Sequence, residues 1–107
     1  MARITTSHQF SKNVEKAFAE ALKEFDADMM LVDVKMQSGR NNEYEASLDI
    51  LINNDRYTFS GETSDTDLYN KYDAISFGDS YADDLVLSII ETVFNNKEVY
   101  KEINQLV

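Results

Sequence analysis

The spacing of apolar residues near the start of the chain predicts a short strand followed by an amphipathic helix. Residues 3–7 (RITTS) are rich in β-branched side chains, which favour a strand. Apolar residues then recur every three or four positions, as they do on one face of a helix, and Ser11 precedes them as a suitable N-cap. These apolar residues are Val14, Phe18, Leu22 and Phe25.

Between residues 29 and 60 the spacing changes to two, which predicts three strands of an antiparallel meander with one buried face. In the first strand we expect Met29 to be exposed and Met30, Val32, Val34 and Met36 to face the core. The polar link at residues 53–55 (NND) tolerates the left-handed backbone of a tight turn. The second and third strands then place on the buried face Tyr44, Ala46, Leu48, Ile50, Ile52, Tyr57 and Phe59.

The remainder of the chain is predicted to be helical. Ser64 and Asp67 have the spacing of a capping box for a short helix, and Asp83 and Asp84 suit the positive N-terminal end of the next one. Two asparagines at positions 95 and 96 interrupt that helix before a last helical segment. The apolar residues assigned to these helices are Leu68, Tyr72, Ile75, Leu85, Val86, Ile89, Ile90, Val93, Phe94, Val99, Ile103 and Leu106.

This order of elements predicts an α+β fold. We expect β-α-β-β-β-α-α, with a three- to four-stranded, mainly antiparallel sheet and helices packed on one of its faces. A length of 107 residues suits a single domain over residues 1–107.

The net charge of the chain indicates which classes of partner it can bind. The net charge of -10 disfavours direct binding to nucleic acid or to anionic membrane. The first ten residues (MARITTSHQF) lack the pattern of a signal peptide, and no apolar run approaches the ~18 residues that span a bilayer. We therefore expect a cytoplasmic protein without a membrane segment.

Acidic residues are concentrated between residues 62 and 84, where seven carboxylates accompany a single cation, Lys71. The carboxylates are Glu62, Asp65, Asp67, Asp73, Asp79, Asp83 and Asp84. Helix starts and a turn account for five of them, so an ordinary solvated face is one interpretation. Helix capping does not explain the scarcity of cations, because ordinary protein surfaces intersperse both signs.

The alternative interpretation is a surface that imitates nucleic acid. Carboxylates along a helix and a loop can replace backbone phosphates in an Arg/Lys groove, and tyrosines often anchor such contacts. We expect Tyr72 to be buried and Tyr69 and Tyr81 to be more exposed. The predicted partner-binding residues are Glu62, Asp65, Asp67, Tyr69, Asp73, Asp79, Tyr81, Asp83 and Asp84. The partner would be a basic, nucleic-acid-binding enzyme.

No catalytic or cofactor pattern is present, so we expect neither an enzyme nor a cofactor. Asp65 and Asp67 resemble a hard-cation pair, but the loop of a calcium hand does not follow them, and no metal is expected. His8 is the only histidine, and no residues around it have the spacing of a catalytic triad. The glycines are scattered, so there is no phosphate-binding loop.

The segments VDVKMQSG, NEYEASLDILINN and RYTFSGETSDTDLYNKYDAI occur in an order that resembles the ribosome-hibernation and double-stranded-RNA-binding architectures. The resemblance implies a helix, three strands and a second helix. Those families bind RNA through basic residues, whereas the matching region here carries Glu62, Asp65, Asp67 and Asp73, which removes the inference to RNA binding. In size and charge the chain also resembles small acidic phage proteins, including DNA mimics and anti-CRISPR inhibitors.

Two functions follow as hypotheses. The first is a small acidic inhibitor of phage or mobile-element origin that binds the nucleic-acid-binding surface of a host protein. The second is an assembly domain that forms a homodimer through the apolar C-terminal helices. Its contact residues would be Leu85, Ile89, Val93, Val99 and Ile103.

Overall fold

A computed structural model describes residues 2–75 and 81–107. The elements, in chain order, are β1 (Ile4–Thr6), α1 (Lys12–Ala21), β2 (Met29–Ser38), β3 (Tyr44–Ile52), β4 (Asp55–Thr63), α2 (Thr66–Asp73), α3 (Asp83–Phe94) and α4 (Lys97–Leu106). None of these helices is long and apolar enough to cross a bilayer.

The four strands form one sheet in the order β1-β2-β3-β4. The strand β1 pairs parallel to β2 through the α1 crossover, and the other two pairings are antiparallel. The predicted α+β class and mainly antiparallel sheet are therefore confirmed. Three helices follow the sheet, because α3 ends at Phe94 and the Asn96 side chain caps the separate helix α4.

The hairpin between β3 and β4 follows the predicted pattern closely. Asn53 and Asn54 both have positive φ, as a two-residue hairpin turn requires, and Ile52 pairs with Asp55 across it. This turn sets the register, so that Phe59 lies opposite Leu48 and both are buried. The alternate residues of β3 that face the core are Ala46, Leu48, Ile50 and Ile52.

The prediction for the start of β2 is wrong, because the strand contains a bulge. Leu31 pairs with Ile50 but Asp33 pairs with Asp49, so β2 has an extra residue between them. The bulge reverses the phase of the preceding residues: Met29 is 3% exposed and Met30 is 36% exposed. Strict alternation counted back from Val34 and Met36 cannot reveal such an insertion.

Helices cover one face of the sheet and leave the other open. Helix α1 begins as predicted, with the Ser11 Oγ accepting a hydrogen bond from Val14 N at 3.3 Å. Helix α3 crosses the sheet, and Gly61 allows its backbone to approach β4 closely. The most deeply buried side chains include Phe18, Leu22, Leu31, Leu48, Ile50, Ile89 and Ile103.

Candidate acidic interaction surface

Helix α2 carries three of the acidic residues, and one of them starts the helix. The Asp65 carboxylate accepts a hydrogen bond from Leu68 N at 3.1 Å, so Asp65 is the N-cap. The predicted capping box with Ser64 at the N-cap is wrong by one position. Thr63 stabilises the approach, because its Oγ1 accepts a hydrogen bond from Asp65 N at 3.1 Å.

The other two acids of α2 project away from the core. Leu68 is buried, whereas Asp67 and Asp73 are exposed. At about 100° and ~1.5 Å per residue, these two carboxylates flank the outer side of the helix and are roughly 9 Å apart along its axis. Among the hydrogen bonds and ion pairs described, neither carboxylate is engaged, so both are available to a partner.

Two stacked tyrosine pairs hold α2 in place. Tyr69 stacks on Tyr44 of β3 with ring centroids 4.5 Å apart, and the Tyr44 hydroxyl donates to Thr66 Oγ1 at 3.3 Å. Tyr72 stacks on Tyr81 at 5.9 Å, which brings the end of α2 beside the segment that leads into α3.

The tyrosines are therefore less exposed than the sequence suggested. Tyr69, Tyr72 and Tyr81 are all half-buried and pack against the core, so the expected contrast between Tyr72 and the other two is not observed. Burial, together with the adjacent Tyr72 and the charge of Asp33, raises the pKa of Tyr81 to about 12. These rings position α2, whose exposed residues are the carboxylates Asp67 and Asp73 together with neutral residues and the one cation, Lys71.

The first turn of α3 supplies two more acids, as predicted. The N-cap residue Ala82 has no side-chain cap, and Asp84 Oδ1 accepts a hydrogen bond from Leu85 N at 3.0 Å. Asp83 Oδ2 accepts from the Asn13 side chain of α1 at 3.4 Å, a contact that the sequence pattern did not indicate. Each of these aspartates makes one described hydrogen bond within the protein; Asp84 is exposed and Asp83 is half-buried.

We define the acidic surface as the carboxylates of α2 and of the first turn of α3. It comprises Asp65, Asp67, Asp73, Asp83 and Asp84. The four ion pairs of the described residues lie outside it, on α1, the open sheet face, the turn after α1 and α4. Asp79 was also predicted to contribute and lies outside the described residues.

Glu62 stands apart from the acidic surface. It lies on β4 directly opposite Glu45 of β3, whose carboxylate accepts from the Gln37 side chain at 3.0 Å. Like charges that face each other across strands are unfavourable. The sequence contained the signal for this pair, because a two-residue turn at Asn53 and Asn54 sets which residues oppose each other.

The C-terminal helices do not offer the apolar stripe that a homodimer would need. The five proposed contact residues are all 3% exposed or less, since α3 and α4 use them to form the core of the same chain. Leu106 and Val107 are exposed at the end of α4.

The structure also describes His8 and the side chains that could have formed a metal site. His8 is exposed in the turn after β1. Over residues 2–75 and 81–107, no three His, Cys, Asp or Glu side chains are arranged to hold a metal ion.

Comparison with known proteins gives no match to this chain, whether with family models, with curated proteins or with solved structures.

Proposed function

We propose that this chain is a small acidic binding protein that occupies the basic nucleic-acid-binding surface of a protein partner, in the manner of a DNA mimic. It acts by binding and not by catalysis. A cytoplasmic location and an origin in a phage or mobile element belong to the same proposal, since an inhibitor of this kind meets its host target there.

The supporting observation is that the carboxylates of the acidic surface have no cation paired with them among the described residues. A groove built from Arg and Lys attracts anions, and a protein surface of unpaired carboxylates that binds there gains Coulomb attraction and displaces the salt anions held by the groove. Carboxylates already paired with a cation of the same chain would gain little free energy from binding this groove, because the existing pair would have to be broken. Unpaired carboxylates on a rigid helix do not have this cost.

Asp67 and Asp73 are the centre of the proposed contact. Both are exposed and neither makes a described hydrogen bond or ion pair, whereas Asp65 caps the helix and Asp84 bonds to the start of α3. The stacked tyrosines add rigidity, because they fix α2 against β3 and the start of α3. A preorganised set of charges loses less entropy on binding than a mobile one.

The test is capture from bacterial lysate with the tagged protein and elution with salt. Raising the salt from about 0.1 M to about 1 M shortens the Debye length from ~10 Å to ~3 Å and should release the partner. We expect the captured protein to bind nucleic acid, and we expect competing duplex DNA to displace it.

Paired charge reversals locate the contact. The double variant Asp67→Lys with Asp73→Lys should lose the partner. The double variant Glu91→Lys with Glu102→Lys is the matched control, because it makes the same change in net charge at exposed helical positions outside the acidic surface. If both variants keep the partner, or lose it equally, the acidic surface is not the contact.

A further inference from the structure

Strand β4 is an outer strand of the sheet, and its pairing determines which of its backbone groups face outward. Asn53 N donates to Asp28 O at 2.9 Å, so the odd-numbered residues of β3 direct their backbone groups towards β2. The even-numbered residues of β3 therefore bond to the odd-numbered residues of β4. The even-numbered residues of β4 direct their N–H and C=O groups outward: Arg56, Thr58, Ser60 and Glu62.

This edge is long and open. β4 has nine residues, whereas the opposite edge strand β1 has three. Arg56, Thr58 and Glu62 are exposed, and the one described contact to the outward backbone groups is the Asn96 side chain, which donates to Ser60 O at 2.9 Å. An exposed edge of this length is a template for an added strand.

We propose that the β4 edge pairs antiparallel with β4 of a second copy of this chain, about a two-fold axis at Phe59. In this pairing, residues whose backbone groups point outward must lie opposite each other. Several registers satisfy this condition, and each has a different β4 residue on the two-fold axis. With Phe59 on the axis, Arg56 lies opposite Glu62 of the second copy, and Thr58 lies opposite Ser60. Centring on Thr58 or on Ser60 separates Arg56 from Glu62. Arg56 is already paired with Asp49 of its own chain at 2.7 Å, but its guanidinium has five N–H donors and keeps some for Glu62 of the second copy. Charge complementarity therefore favours the Phe59 register.

The shape of the edge agrees with this register. A groove of about 480 Å³ lies along the second half of β4, between the strand and the corner where α3 meets α4. Gly61, Thr92 and Asn95 are among the residues that line it. In the Phe59 register, Tyr57 of the second copy lies opposite Gly61, on the helix-covered side of the sheet, where it can extend into this groove.

Asn96 is compatible with the added strand. Its Oδ1 accepts from Glu98 N at 3.2 Å and caps α4, while its Nδ2 uses one lone pair of the Ser60 carbonyl. A carbonyl oxygen accepts two hydrogen bonds. The second lone pair is left for Thr58 N–H of the second copy.

Sedimentation equilibrium of the full chain, from micromolar to several hundred micromolar, tests the proposal. We expect a dimer. Thr58→Pro removes an outward N–H at a position where an edge strand tolerates proline, so it should abolish the dimer. Thr58→Val is the matched control, because it retains the N–H and a β-branched shape. Circular dichroism checks that each variant is folded.

A mixing experiment tests the register. Arg56→Glu alone and Glu62→Lys alone each place like charges opposite each other at both ends of the interface, and each should weaken the dimer about tenfold or more. An equimolar mixture of the two variants has opposite charges at both ends and should dimerise again. This outcome also excludes a folding defect in either variant.

Three results would overturn the proposal: a wild-type chain that sediments as a monomer throughout, a dimer that survives Thr58→Pro, or a mixture that associates no better than its components. The interface does not use Asp67 or Asp73. Reversal of those two residues should leave the dimer intact, so failure of the proposed function and failure of this interface are separable.

Discussion

Gly61→Ala is the substitution for which the structure sets the sharpest expectation. A Cβ atom at this position would lie 2.5 Å from the Thr92 carbonyl oxygen and 2.9 Å from the Val93 Cα. Both atoms belong to the backbone of α3, so no side-chain rotation can relieve the contact. Either β4 or α3 must move by nearly 1 Å to reach an ordinary van der Waals distance of about 3.4 Å.

The loss of folding stability in Gly61→Ala depends on the residues that α3 contributes to the core. Ile89 and Val93 on this helix are completely buried, so a shift of α3 disturbs the centre of the core. Overpacking of this kind costs roughly 1–3 kcal/mol and sometimes more, and reduced freedom of the unfolded chain returns ~0.4–1 kcal/mol. We expect a net loss of about 1–2 kcal/mol. At ~4–8 °C per kcal/mol, the Tm should fall by roughly 4–16 °C.

Gly39→Ala is the matched control. Its Cβ would lie 3.1 Å from the Glu43 carbonyl oxygen, in an exposed loop that can adjust. Urea unfolding followed by circular dichroism should show a change within about 0.5 kcal/mol for this variant. If Gly61→Ala were as stable as Gly39→Ala, the backbones of α3 and β4 could not lie as close together as the structure shows.

Three other variants test individual interactions, two at the acidic surface and one on the open face of the sheet. Asp65→Ala should destabilise the fold by about 1 kcal/mol in urea unfolding because it removes the α2 N-cap, whereas Ser64→Ala should change the stability by less than about 0.5 kcal/mol. Burial tends to raise the pKa of Asp49, but hydrogen bonds from Arg56 and Thr58 and the Arg56 charge outweigh it and lower that pKa. This stabilisation is present above the unfolded pKa and is lost as the pH falls through the folded pKa, so Asp49→Asn should cost stability at pH 7, and the difference from the wild type should shrink as the pH falls through the folded pKa. Tyr81 keeps its proton in the folded state up to a pKa of about 12, so stability should fall between pH 10 and pH 12 in the wild type and fall less in Tyr81→Phe. Unfolding in a pH series measures both effects, and equal slopes for the variant and the wild type would contradict each one.

Alternation and helical spacing predicted most of the fold because they report which face of each element is apolar. The β3–β4 hairpin was predictable in detail, since the turn at Asn53 and Asn54 also sets the register. The start of β2 was not. The bulge before Asp33 follows from how β2 fits against β3. Residues 29–32 (MMLV) are all apolar, so either phase of alternation would have placed apolar side chains in the core.

Some properties of the acidic surface could likewise be predicted from the sequence, and others could not. The number of acids and the scarcity of cations are properties of the sequence, and so is the preference of Asp83 and Asp84 for a helix start. The exposure of the tyrosines is not, because it depends on their partners. Tyr69 is covered by Tyr44, which lies 25 residues earlier in the chain, and Tyr81 is covered by Tyr72.

The sequence by itself therefore determined the class of fold, the faces of most elements and the sign of the surface charge, because each depends on residues close together in the chain. Tertiary structure alone decided that the apolar residues of α3 and α4 are used up in the core. It also decided that β4 is an open edge and that Asp67 and Asp73 remain free of the ion pairs described elsewhere. These properties depend on which distant segments pack together, and the spacing of residues within one segment does not indicate that.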